Sequence, residues 1–191
     1  MLRAAGIEFD IVAANVDESV LAGETPDAHV RRLAEAKAGA VRHEAGQRAV
    51  LAADTVVVID SAILGKPADE EDARRTLRML SGRAHVVMTG VCLIHPHGPA
   101  RAGHDEGPAE AGRDLRQTAV AQTTVELAPL TDGEIAWYVA SGEPAGKAGA
   151  YAIQGLASRF VTRIEGSYSN VVGLPVELVY VLCKRAGVLV S

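Results

Sequence analysis

The 191-residue chain carries a formal charge of −5, with 48% apolar and 23% charged residues, which is the balance of a globular protein able to bury a substantial core. It has no basic run to neutralise successive phosphates, which excludes an extended nucleic-acid surface, and no apolar run of the roughly 18 residues a membrane span needs. Its two cysteines, Cys92 and Cys183, stand far apart in apolar runs and read as reduced core residues of a cytoplasmic protein, not as a redox or zinc pair.

Met1 to Ala5 followed by Gly6 reads as the last turn of a helix with its terminal glycine, and no signal-peptide h-region follows. Ile7, Phe9 and Ile11 then alternate with Glu8 and Asp10, which predicts a half-buried strand. Val16-Asp17-Glu18 closes it as an acidic turn. Thr25 is placed to cap a helix whose first position is Pro26 and which runs to about Glu44. Val30, Leu33, Ala34 and Val41 share one face. Lys37 falls in the middle of that stripe, while Arg31, Arg32, Glu35 and Arg42 take the outer face. A snorkelling stem is one account of it; its inward place favours an ammonium aimed into a cleft.

Leu51 to Pro67 reads L-A-A-D-T-V-V-V-I-D-S-A-I-L-G-K-P, a Val/Ile-rich strand with Asp54 and Thr55 in its middle. A buried, unpaired carboxylate is costly, so Asp54 requires a partner, a metal, a helix N-terminus or solvent. The run turns at Asp60-Ser61 and delivers Gly65-Lys66-Pro67. An acid on a stiff strand with a lysine on a nearby loop suits a phosphate or metal site; a strand crossing from core to rim at Ala53 has the same pattern.

Asp69 to Leu80 reads as a helix, acids first and arginines last, stopped by Gly82. Arg83 to Ile94 is strand-like, broken at Thr89-Gly90, and Gln117 to Leu127 alternates as another strand. His95 to Asp114 between them reads as a long flexible hairpin loop, and His95, His97 and His104 lack metal-ligand spacing. Thr131-x-x-Glu134 is a capping box for a helix through Ala140, closed by Gly142, with Trp137 used in packing. Gly146 to Gly155 is glycine-rich and can offer N–H groups to an anion. Arg159 to Ile164 is strand-like, Gly166 to Pro175 a loop, and the last helix has Pro175 near its start and Gly187 after its end. Strands interleaved with helices predict an α/β domain.

The segments A-A-D-T-V-V-V, G-K-P, L-S-G-R-A-H-V-V-M-T-G-V, A-S-G-E-P, K-A-G-A-Y-A-I-Q-G and S-N-V-V-G-L-P resemble, in order, those of the Maf family of nucleoside triphosphate pyrophosphatases. The likeness runs from Gly6 to Gly187. It implies one domain over residues 1–191, with a mixed sheet bent between two lobes around a nucleotide cleft, as in inosine triphosphatase. It also implies hydrolysis of a nucleoside triphosphate to the monophosphate and pyrophosphate, with Mg²⁺ or Mn²⁺, commonly in homodimers.

Carried over by position, the resemblance makes Asp54 the base for the attacking water and sets Lys37 and Lys66 against the triphosphate charge. Glu18 would help Asp54 hold the metal. Thr55 and Gln154 match positions that separate substrate branches. Gln154 resembles the dTTP- and UTP-hydrolysing branch, since a carboxamide offers donor and acceptor to a pyrimidine imide. The 7-methyl-GTP branch carries glutamate there. The family also opens with a strand and an S-x-S-P-R-R loop that stand nowhere in this sequence. We therefore expect the reading frame to continue upstream of Met1 by about 15 residues, enough for that strand and loop. Without those arginines, a non-catalytic nucleotide-binding or cell-division regulator is the alternative, and a pyrophosphatase of 7-methyl-GTP or deaminated purines another.

Overall fold

The computed structural model describes residues 1–96 and 114–188. Helix α1 (Pro26–Val41) starts where expected, with the Thr25 hydroxyl accepting from the Ala28 N–H, and tightens into a 3-10 turn over Arg42–Ala45. Strand β1 (Val50–Ile59) turns at Asp60 and Ser61, both at positive φ, into the short β2 (Ala62–Leu64). Helix α2 (Glu70–Leu80), capped by Asp69, leads to the hairpin of β3 (Ala84–Pro96) and β4 (Asp114–Leu127). Then come α3 (Asp132–Ala140) with its full capping box, β5 (Val161–Glu165), α4 (Tyr168–Val172) and α5 (Val176–Arg185).

The strands form one sheet in the order β2-β1-β3-β4-β5. Every described ladder is antiparallel, so within the expected α/β class the sheet is not of mixed direction. Side chains of a strand alternate between faces, and that alternation sorts the core. On one face Val50, Ala52 and Val56 meet Val30, Ala34 and Ala38 of α1. On the other, Leu51 and Ala53 pack on Val179 and Leu182 of α5, while Val57 and Ile59 pack on α2 and α3. Fully burying one such aliphatic side chain is worth about 1.5–3 kcal/mol, so these seams fix where each helix lies. Between the two clusters of the second face stand Thr55 and Thr89, paired directly across β1 and β3.

Four further expectations change. Residues 7–11 are not a strand: Ile11 is 84% exposed, because alternation makes a strand only where another edge offers a ladder, and no described strand does so there. Thr89-Gly90 does not break β3. It is where α1 crosses the sheet, and a Cβ on Gly90 would lie 2.3 Å from the Val30 carbonyl oxygen. The segment Gly166 to Pro175 is not all loop, since Ser167 caps and Gly173, at φ 113°, ends the one-turn α4. Asp114 belongs to β4, opposite Pro96, not to the connecting loop. His97 and His104 lie outside the described residues. Among the described residues no helix is long and apolar enough to cross a membrane. Cys92 and Cys183 are free and buried, on opposite sides of the sheet.

Candidate active site

Strand β1 is stiffened by β3 along almost its whole length but meets β2 only at Val57, Val58 and Ile59. Along residues 50–56 its outer edge therefore has no strand partner among the described residues. Asp54 stands on that stretch, its side chain on the α1 face, only 9% exposed. The partner it requires is Lys37: the inward position on α1 carries the ammonium across, and Nζ donates to Asp54 Oδ1 at 2.6 Å. The same ammonium lies 2.6 Å from Glu18 Oε1, and Lys66 donates to Glu18 Oε2 at 3.0 Å. Four charges thus stand in a row of alternating sign, Asp54–Lys37–Glu18–Lys66.

The electrostatics follow. Hydrogen bonds from Lys37 and Lys66 hold the Glu18 carboxyl below its ordinary pKa. Burial opposes the charge of Lys37, but the bonds to Asp54 and Glu18 outweigh it and raise its pKa. Both groups are therefore ionised at neutral pH.

Glu18 is not the tip of a loose acidic turn. Arg32 grips Glu24 through Nε at 2.6 Å and Nη2 at 2.8 Å, and Nη2 also donates to the Ser19 carbonyl at 2.9 Å. The buried His29 adds Nδ1 at 2.9 Å from Glu24. Arg32 thus leaves the outer face on which its helical position put it and ties the Glu18 segment to α1.

Asp54 and Thr55 point to opposite faces, and the cleft of about 280 Å³ reaches both around the open edge. Lys37, Asp54, Thr55, Lys66, Lys147, Tyr151, Gln154 and Gly173 are among the residues that line it. Five of the six sequence-predicted site residues line it, and Glu18 joins them through the two lysines. Thr55 is committed inward, since its hydroxyl donates to the Gly173 carbonyl at 3.2 Å and so accepts from Thr89 at 2.8 Å. Lys147 was missed as a site residue, although its glycine-rich neighbourhood was noted. Gly149 gives the close approach that glycine allows, and its N–H is already committed. The Gly149 N–H donates to the Gly65 carbonyl at 3.0 Å, which ties the Lys147 and Lys66 loops together instead of meeting an anion. A Cβ there would come within 2.7 Å of Val57.

No group of three or more metal-ligating side chains converges among the described residues. Three of the four oxygens of Asp54 and Glu18 sit on lysines, leaving Asp54 Oδ2. Such a set fits a hard cation that takes one or two carboxylates and completes its shell with phosphates and water; it does not fit a closed protein cage.

Residues 1–186 match the sequence model of the Maf-like proteins. The chain is 49% identical over 187 residues to the dTTP/UTP pyrophosphatase of an Anaeromyxobacter species, covering 98% of this chain and 83% of that protein. It is 47% identical over 189 residues to the dTTP/UTP pyrophosphatase of Koribacter versatilis, covering 99% and 89%. It is 47% identical over 187 residues to that of Geotalea uraniireducens, covering 98% and 89%.

Proposed function

The chain belongs to the Maf-like family, and from that premise we infer that it is a nucleoside triphosphate pyrophosphatase, hydrolysing dTTP and UTP to the monophosphate and pyrophosphate. The observation that carries this reading is the row Asp54–Lys37–Glu18–Lys66 beside a cleft that Gln154 also lines. The kinship to pyrophosphatases of the same substrates supports it.

Each group has work suited to its place. The phosphates lie along Lys37, Lys66 and Lys147, whose ammonium groups offset the charge that gathers as the bond between the α- and β-phosphates breaks. Asp54 takes a proton from the attacking water as its oxygen bonds to phosphorus, and pyrophosphate departs. The strand fixes where that carboxylate points, so proton acceptor and phosphate cations are held in register before substrate enters. Mg²⁺ or Mn²⁺ would be held by Asp54 and the substrate phosphates, and by Glu18 once a lysine has turned from it to the phosphates, and would neutralise further charge. Gln154 offers its carboxamide N–H and oxygen to the imide edge of thymine or uracil, whereas an ionised glutamate could only accept.

The sheet shared by both helical layers supports a single domain, and two buried free thiols suit the cytoplasm. A homodimer rests on the family resemblance alone. The test is pyrophosphate release from a panel of nucleoside triphosphates with Mg²⁺ or Mn²⁺. We expect dTTP and UTP to turn over fastest. Faster hydrolysis of 7-methyl-GTP would overturn the pyrimidine preference, and nucleotide binding without any turnover would make the chain a regulator.

A further inference from the structure

Gln154 stands in a tight turn, closed by the Gly155 N–H donating to the Ala152 carbonyl at 3.0 Å, with Ile153 buried beneath it. A turn has no rigidity of its own, so a side chain that reads a base needs its turn held from outside. Here the holder is Glu143, from the A-S-G-E-P stretch after α3. Its Oε2 accepts from the Leu156 N–H at 2.9 Å, and its Oε1 accepts from the Ala157 N–H at 3.2 Å and the Tyr138 hydroxyl at 2.8 Å. The Tyr138 oxygen accepts in turn from the Ala152 N–H at 3.0 Å. The chain is therefore gripped two residues before Gln154 and again two and three residues after it. Burial works against the charge on Glu143, yet these donors hold its pKa below the ordinary value.

Two further details show how closely the turn is fitted to this carboxylate. A Cβ on Gly155 would fall 2.0 Å from Glu143 Oε2, so the glycine lets the acid reach past it. Three donors, two N–H groups and one O–H, converge on the acid, a demand met by an acceptor-only group. Glutamine has the same size and would turn an NH₂ against one of those donors.

We infer that Glu143, acting through the Tyr138 hydroxyl and the backbone around Gln154, is a positioning residue for base recognition. This rests on the reading of Gln154 as the group that meets the pyrimidine. Neither Glu143 nor Tyr138 is assigned a contact with the substrate.

The two reaction products separate that role from a general one, because dTMP carries the base and inorganic pyrophosphate does not. Both are titrated calorimetrically into the full chain and its variants with Mg²⁺. In Glu143→Gln, dTMP affinity should fall about tenfold, as for loss of one or two buried hydrogen bonds, while pyrophosphate affinity stays within about twofold. Gln154→Ala should give the same pattern, and the double variant should lose little more than either single one. If Glu143→Gln does not fold, Tyr138→Phe removes the hydroxyl at nearly constant volume and should show the same split. Equal loss of both products, or unchanged dTMP affinity where Gln154→Ala weakens it, would overturn the role of Glu143 alone. Unchanged dTMP affinity in Gln154→Ala would overturn the reading of Gln154 and this inference with it.

Discussion

Lys37 serves two carboxylates at 2.6 Å each, and only one of them is buried. At 9% exposure Asp54 cannot do without a cation, whereas Glu18 at 43% can turn to water. Lys37→Met should therefore destabilise the fold chiefly through Asp54, by about 2–3 kcal/mol in urea unfolding, short of a sealed pair because the cleft admits water. Adding Asp54→Asn should recover most of that stability and none of the activity. A double variant no more stable than Lys37→Met would show that the pair does not carry this stability. Asp54→Asn alone removes the proton acceptor at nearly constant shape. Its kcat for dTTP should fall about 10²–10⁴-fold with a much smaller change in KM, and near wild-type turnover would sink the assignment of Asp54 as base.

At the scale of elements, α1 presents Lys37 only because it lies close on the sheet, and Gly90 sets that closeness. A Cβ at residue 90 would meet backbone, 2.3 Å from the Val30 oxygen and 2.5 Å from its carbon, so no rotamer can relieve the clash. Gly90→Ala should lift the helix, cost about 3 kcal/mol or more, and take activity with it. A melting temperature within a degree or two of wild type would refute that account. The helix starts were legible because caps are local: Thr25, Asp69 and Thr131 each bond within three residues. The strand over residues 7–11 was misread because alternation is local and pairing is not. The same divide runs through the site. Asp54 and Lys37 stand out as exceptions within their own patterns, and Lys66 by its place on the loop just after the strand of Asp54. Gln154 needed the family resemblance. Arg32 on the Ser19 carbonyl and Glu143 on the Leu156 N–H, each 13 residues apart, leave no periodic trace.

For the molecule as a whole, the response to acid should begin as a loss of global stability set by His85, which is buried against Tyr151. His85 of β3 is 2% exposed, with Nε2 2.8 Å from the hydroxyl of Tyr151, whose ring meets it edge-on. Burial lowers its pKa from 6.5 to about 4, outweighing the opposite pull of the Arg83 backbone. Between those values the unfolded chain binds a proton that the folded chain refuses. Stability therefore rises with pH through this window; it is complete above 6.5 and is lost as pH falls towards 4. The gap corresponds to about 3 kcal/mol. Glu18, Glu24 and Glu143, also held below their ordinary pKa, add a loss of the same sign in stronger acid. That loss is common to the wild type and to a His85→Leu variant, so the difference between their curves isolates the histidine. The variant should be less stable at neutral pH, because the Tyr151 hydroxyl loses its partner. From pH 7 to 5, however, its urea midpoint should stay nearly flat while that of the wild type falls. Because the folded protein keeps His85 neutral over this interval, dTMP affinity should stay level in wild type and variant alike while the wild type loses stability. Parallel stability curves would mean that His85 takes up its proton at the same pH folded and unfolded, and that burial of this histidine does not make the fold acid-sensitive.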